Sequence, residues 1–89
     1  MVISNSVLLQ FGKKYGQKGS RTVTLPVVYT CYYSVSAMNR DNNNEGVSTV
    51  KLLESSSTLT SFVGIATWSV AGGNVGYSTA TWDWITIGY

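Results

Sequence analysis

The stretch that most constrains the fold is the last one, Thr81-Trp82-Asp83-Trp84-Ile85-Thr86-Ile87-Gly88-Tyr89. It is rich in β-branched and aromatic residues, types that fit a pleated, half-buried surface, and it reads as a strand. Alternation puts Trp82, Trp84 and Thr86 on one face and Asp83, Ile85, Ile87 and Tyr89 on the other. Neither face is polar, so the strand needs a covering layer on both sides. In a chain of 89 residues one layer can be the domain's own core and the other a second copy of the chain.

The rest of the sequence supplies partners of the same kind. Ser6 to Tyr15 reads as a first strand, with Val7, Leu9 and Phe11 on one face. Gly16-Gln17-Lys18-Gly19 gives a turn, and a hairpin into Arg21–Leu25 is expected, with Val23 and Leu25 inward and the threonines outward. Pro26 cannot donate to a ladder and marks a strand end or an edge. Thr30–Met38 is the next strand, its inner face Cys31, Tyr33, Val35 and Ala37. The polar run Asn39-Arg40-Asp41-Asn42-Asn43-Asn44-Glu45-Gly46 is a loop, because Asn and Asp favour turns. Val47–Leu53 and Thr58–Val70 are two more strands joined by Glu54-Ser55-Ser56-Ser57. The Ala71–Gly76 segment breaks the pattern before the closing strand. No window has a 3.6-residue apolar period. The expected fold is all-β: one domain over residues 1–89, a small antiparallel β-sandwich of about six strands.

Composition narrows the function. Charged residues are 11% of the chain and hydrophobic ones 44%, against a usual charged share of about 25%. A surface rich in Ser, Thr, Asn and Gly suits a protein that works outside a cell against neutral polymers. The net charge of +2 is too small for nucleic acid. Lys13, Lys14, Lys18 and Arg21 cluster around the first turn, where they read as a solvated hairpin tip or as contacts for an anionic polysaccharide or lipopolysaccharide. Cys31 is the sole cysteine and reads as a small buried hydrophobe. Residues 1–11 lack a signal peptide's basic and apolar regions, and no segment has the roughly 20 apolar residues of a membrane helix, so a soluble product of a reducing cytoplasm is expected.

Catalytic chemistry is not visible. The chain has no histidine, which removes the commonest general base and any Ser-His-Asp arrangement. Asp41 and Glu45 flank asparagines in a loop, a poor setting for a glycosidase pair, and the same run lacks the order of an EF-hand calcium loop. The glycine clusters are not followed by Lys-Ser or Lys-Thr and are turns, not phosphate cradles. No enzyme activity, metal or cofactor is expected.

Five pieces in order, Leu9-Gln10-Phe11-Gly12-Lys13, Val23-Thr24-Leu25-Pro26, Tyr33-Ser34-Val35-Ser36-Ala37, Thr60-Ser61-Phe62 and Trp84-Ile85-Thr86-Ile87-Gly88-Tyr89, resemble the C-terminal receptor-binding domain of phage tail fibres. The closing motif is also similar to H-type lectins. Thr86 stands where the motif usually has Ala, and Phe11 where Trp is common. The resemblance implies a non-catalytic homotrimeric tip on an upstream fibre shaft, placed on the virion and binding a host surface polysaccharide, lipopolysaccharide or protein. A trimerisation cap with no ligand of its own and an H-type-lectin-like sugar-binding module are the alternatives.

Sugar rings pack on aromatic faces while Asp, Asn and Arg groups read hydroxyls. The candidate receptor contacts are therefore Arg40, Asp41, Asn42 and Asn44 in the polar loop, with Tyr77 and Trp82 beside the glycine-rich one. The candidate oligomer contacts are Trp84, Ile85, Ile87 and Tyr89. Which face of the last strand meets another copy is left open by the pattern, and the partner of Asp83 is the residue to watch.

Overall fold

The computed structural model describes residues 7–15, 18–40, 46–70 and 72–89. Seven strands follow in chain order: β1 (Leu8–Lys14), β2 (Ser20–Thr24), β3 (Tyr33–Asn39), β4 (Gly46–Leu52), β5 (Ser61–Val70), β6 (Val75–Tyr77) and β7 (Trp82–Gly88), with one 3-10 turn at Glu54–Ser56. They form two antiparallel sheets. One has the order β1-β7-β3; the other has the order β2-β5-β4, with β6 also paired to β5. The closing strand is central: Trp82–Gly88 pairs along its full length with Leu8–Lys14 on one side and Tyr33–Asn39 on the other.

The hairpin expected between the first two strands does not form. β1 pairs with β7 and β2 with β5, so the chain steps from one sheet to the other between Tyr15 and Ser20. A connection of this length reaches about 16 Å when extended, enough to cross the roughly 10 Å between packed sheets. The step places Val23 opposite Phe62 in the second sheet, with both side chains buried.

Both sheets feed one core. Val23, Leu25, Tyr29, Phe62, Ala66, Trp82 and Trp84 are buried together. Phe62 of β5 meets Trp84 of β7 edge-on at a centroid distance of 5.6 Å and Trp82 at 6.3 Å. Glycine makes room for the large rings. A Cβ on Gly12, directly across from Trp84 in the β1–β7 register, would stand 2.9 Å from its indole. One on Gly64 would stand 3.1 Å from Trp82.

Two polar side chains complete the core by bonding rather than by being excluded. Gln10 is 6% exposed, and its amide donates to the Val27 carbonyl and accepts from the Val27 N–H, both at 2.9 Å. Thr86 is fully buried, with its hydroxyl 2.7 Å from that of Tyr29. This satisfied pair accommodates a threonine on the inward face of β7.

Several boundaries differ from the sequence reading. The expected strand over 58–70 begins at Ser61 because the Thr58 hydroxyl accepts from the Thr60 and Ser61 N–H groups, both at 3.2 Å, in competition with a ladder. The segment read as a break contains β6. Gly72 and Gly73 take φ of +99° and +92°, which turns the chain back so that Val75–Tyr77 pairs with Thr67–Ser69. Cys31 is exposed, not buried, because it precedes β3 in a segment whose N–H groups bond to the Tyr89 carbonyl at 2.8 and 3.1 Å.

Alternation leaves the β1-β7-β3 sheet with an unusual outer face. Cross-strand rows there are Leu9–Ile87–Ser34, Phe11–Ile85–Ser36 and Lys13–Asp83–Met38. Phe11 and Met38 are 75% and 72% exposed, and Leu9, Ile85 and Tyr89 are exposed as well. The outer face of the other sheet mixes Thr22, Thr24, Thr49 and Lys51 with half-covered Val63 and Ile65 and with exposed Val47, Val75 and Tyr77 toward the β5–β6 hairpin.

Candidate functional site

At the end of the sheets where Lys13, Asp83 and Met38 lie, an open cleft of about 1070 Å³ forms between the end of β1, the residue after β3, the β5–β6 hairpin and the Ser78–Thr81 segment. Lys13, Lys18 and Arg40 supply positive charge to its lining, and Tyr15, Trp68 and Tyr77 supply aromatic surface.

The aromatic side is held in place from within the β5–β6 hairpin. Trp68 lies across from Gly76, where a Cβ would approach its ring to 2.6 Å, so only glycine lets the indole lie flat there. The Trp68 indole N–H donates to the Tyr77 carbonyl at 3.1 Å. Tyr77 and Tyr15 are 52% and 74% exposed and present their rings to solvent. Below them, buried Ser78 is fixed by its N–H on the Ala66 carbonyl at 2.9 Å, and its hydroxyl accepts from the Ala80 N–H at 3.1 Å.

The polar side is anchored to the closing strand. The Arg40 N–H bonds to the Thr81 carbonyl at 2.9 Å, and its guanidinium donates to Asp83 Oδ2, also at 2.9 Å. Both side chains of the pair are about half exposed. A guanidinium has five N–H donors in a planar fork, so one carboxylate oxygen orients it without saturating it. The partner of Asp83 lies within the same chain, at the charged end of the outer face. Where Asn39 pairs with Trp82 across β3 and β7, the Asn39 side-chain amide and Trp82 Nε1 are buried with no hydrogen-bond partner among the described residues.

Of the six receptor contacts expected from the sequence, the cleft brings together two, Arg40 and Tyr77. Asp41, Asn42 and Asn44 lie outside the described residues. Trp82 is corrected: its side chain is fully buried against Phe62, with no surface to offer a ligand. Trp84, expected at an oligomer contact, is also corrected. At 7% exposure it is in the chain's own core, because it shares the inward face of β7 with Trp82 and Thr86. Ile85, Ile87 and Tyr89 are on the outward side.

Sequence reasoning missed Tyr15 and Trp68. It places Lys13 and Lys18 in a basic cluster, either a solvated turn or contacts for an anionic polysaccharide, but around a hairpin that does not form. Trp68 carried a usable signal: a tryptophan and a glycine eight residues apart around Gly72-Gly73 place an indole over a cross-strand glycine once the turn is recognised.

A second hollow of about 450 Å³ lies beside Cys31, Tyr33 and Glu54. There the Tyr33 hydroxyl donates to the Thr58 and Ser61 carbonyls at 2.7 and 3.0 Å. Burial first, then the nearby Glu54 and Tyr29, raise the Tyr33 phenol above its ordinary value. Among the described residues no three metal-ligating side chains come together. Comparison with family models, curated proteins and solved structures finds no match to this chain.

Proposed function

We propose that this chain is a non-catalytic receptor-binding tip of a phage tail fibre, a small β-sandwich that assembles as a homotrimer and attaches a virion to a glycan on the host surface. The observation that carries the reading is the cleft, whose lining combines a pinned indole, two exposed tyrosines and an oriented guanidinium. That is the combination a pyranose needs, a flat apolar surface for the ring and fixed polar groups for its substituents. Single sites of this kind bind weakly. Three copies on one axis give avidity gains on the order of 10²–10⁴ when they engage together.

The outer face of the β1-β7-β3 sheet supports the trimeric part. Leu9, Phe11, Ile85 and Ile87 form a contiguous apolar patch on adjacent strands, and patches of this kind on small soluble proteins mark association surfaces. The same patch would serve a trimerisation cap that binds nothing, so binding and assembly need separate tests. Light scattering should give three times the 9.6 kDa chain mass; a stable monomer at micromolar concentration contradicts the trimer. Purified protein should decorate host bacteria, and periodate oxidation of the cells should abolish that binding. Absence of binding across a broad panel of strains favours the cap.

A further inference from the structure

We infer that the saccharide held in the cleft carries an acidic group, a carboxylate or a phosphate, and that Lys18 and Arg40 read it; this rests on the glycan-binding reading above. The chain has six basic residues, and three of them, Lys13, Lys18 and Arg40, line this one cleft. Among the described residues no carboxylate lines it. Asp83 stands next to it and takes one contact with Arg40, and Glu54 lines the hollow beside Tyr33 instead. A protein with 11% charged residues has little charge to distribute, so convergence of half of its cations on an aromatic-walled cleft is informative about the ligand.

The geometry assigns different tasks to the groups. Asp83 and the Thr81 carbonyl hold Arg40 in place, and the rest of the planar fork matches two oxygens of a carboxylate or phosphate. Lys18, on an exposed turn, is a point charge that follows the anion without demanding one orientation. Trp68, Tyr77 and Tyr15 line the same cleft and supply aromatic surface for the apolar side of the sugar. A neutral saccharide offers these cations only hydroxyl oxygens, which are weaker acceptors than those of a carboxylate or phosphate.

The test uses matched pairs of probes that differ only in charge, with the whole protein in an isothermal titration. Trigalacturonate is compared with its methyl ester, and a mannose oligosaccharide carrying one phosphate monoester with the same oligosaccharide after dephosphorylation. The acidic member of at least one pair should bind about tenfold or more tightly than its neutral twin, and should weaken as salt rises. The pair that responds identifies the carboxylate or the phosphate as the group recognised. Lys18→Gln combined with Arg40→Gln should remove the preference. Lys51→Gln, on the outer face of β4 away from the cleft, should retain it, and the melting temperature should report a folded protein in each case. Equal binding of charged and neutral twins overturns the acidic specificity while leaving a glycan-binding module. Binding of none of the four probes overturns the inference, and if cells are also left undecorated the receptor-binding reading falls with it.

Discussion

Replacing Tyr29 with Phe removes one oxygen and tests how the closing strand is held. That hydroxyl donates to or accepts from Thr86 Oγ1 at 2.7 Å and lies 3.2 Å from the Leu8 carbonyl. Thr86 is 0% exposed, so in Tyr29→Phe its hydroxyl is left without water or partner, a loss of about 1–3 kcal/mol. Thr86→Val leaves Tyr29 its contact with the Leu8 carbonyl and should lose only about 0.5–1.5 kcal/mol. The double variant removes both polar atoms together, so it should be more stable than the sum of the singles predicts by on the order of 1 kcal/mol. For a domain of this size that coupling corresponds to roughly 4–8 °C in melting temperature. Urea unfolding followed by tryptophan fluorescence suits the assay, because Trp82 and Trp84 are buried beside the pair. Strictly additive single variants, or a Tyr29→Phe protein within about 0.5 kcal/mol of wild type, would refute the view that a satisfied buried pair explains threonine at this position.

Other expectations follow from the same geometry. Gly76→Ala should push the Trp68 ring off its seat and lower stability by about 1–3 kcal/mol through overpacking, with glycan binding weakened in parallel; unchanged binding in calorimetry argues that Trp68 is not part of the site. Phe11→Ser together with Ile85→Ser should lower the solution mass seen by light scattering while the far-ultraviolet spectrum is kept, because both side chains are exposed in the single chain; an unaltered mass removes this face as the assembly surface. Arg40→Gln should change stability by less than about 1 kcal/mol, since its partner Asp83 is half exposed, and a larger shift in the urea midpoint contradicts a positioning role alone. The Tyr33 phenol is raised above 10.0 in the folded chain. Its contribution to stability is therefore complete below about pH 10 and is lost as pH rises through the folded value, so Tyr33→Phe should flatten the alkaline part of a stability–pH curve; equal slopes contradict the assignment.

The period of the strands was legible in the sequence because side chains alternate whatever the topology. The faces of β7, the inward Val23 and Leu25, and the stop at Pro26 all agree with the structure. Topology was harder to read. A glycine turn between two strands fits a hairpin and a step between sheets equally well, and only the pairing of β1 with β7 decides between them. Residue type also misled where a local bond overrides it: Gln10 is buried because the N–H and carbonyl of Val27 bond to its amide oxygen and nitrogen, and Thr58 delays β5 by bonding ahead of itself. The site was legible at Arg40 and Tyr77 and, through the basic cluster at the first turn, at Lys13 and Lys18. Trp82, prominent in sequence, is consumed by the core, whereas Trp68 faces the cleft because it sits past the point where the two sheets share that core.

A glycan array probed with the intact protein and with Tyr77→Ala tests the central claim most directly. Tyr77 is exposed on the cleft and bears no core packing, so its loss should leave folding intact. The account predicts saturable wild-type binding confined to a related set of glycans and a loss of that binding in the variant at unchanged melting temperature. No glycan bound by the wild type, or equal binding by both proteins, contradicts it.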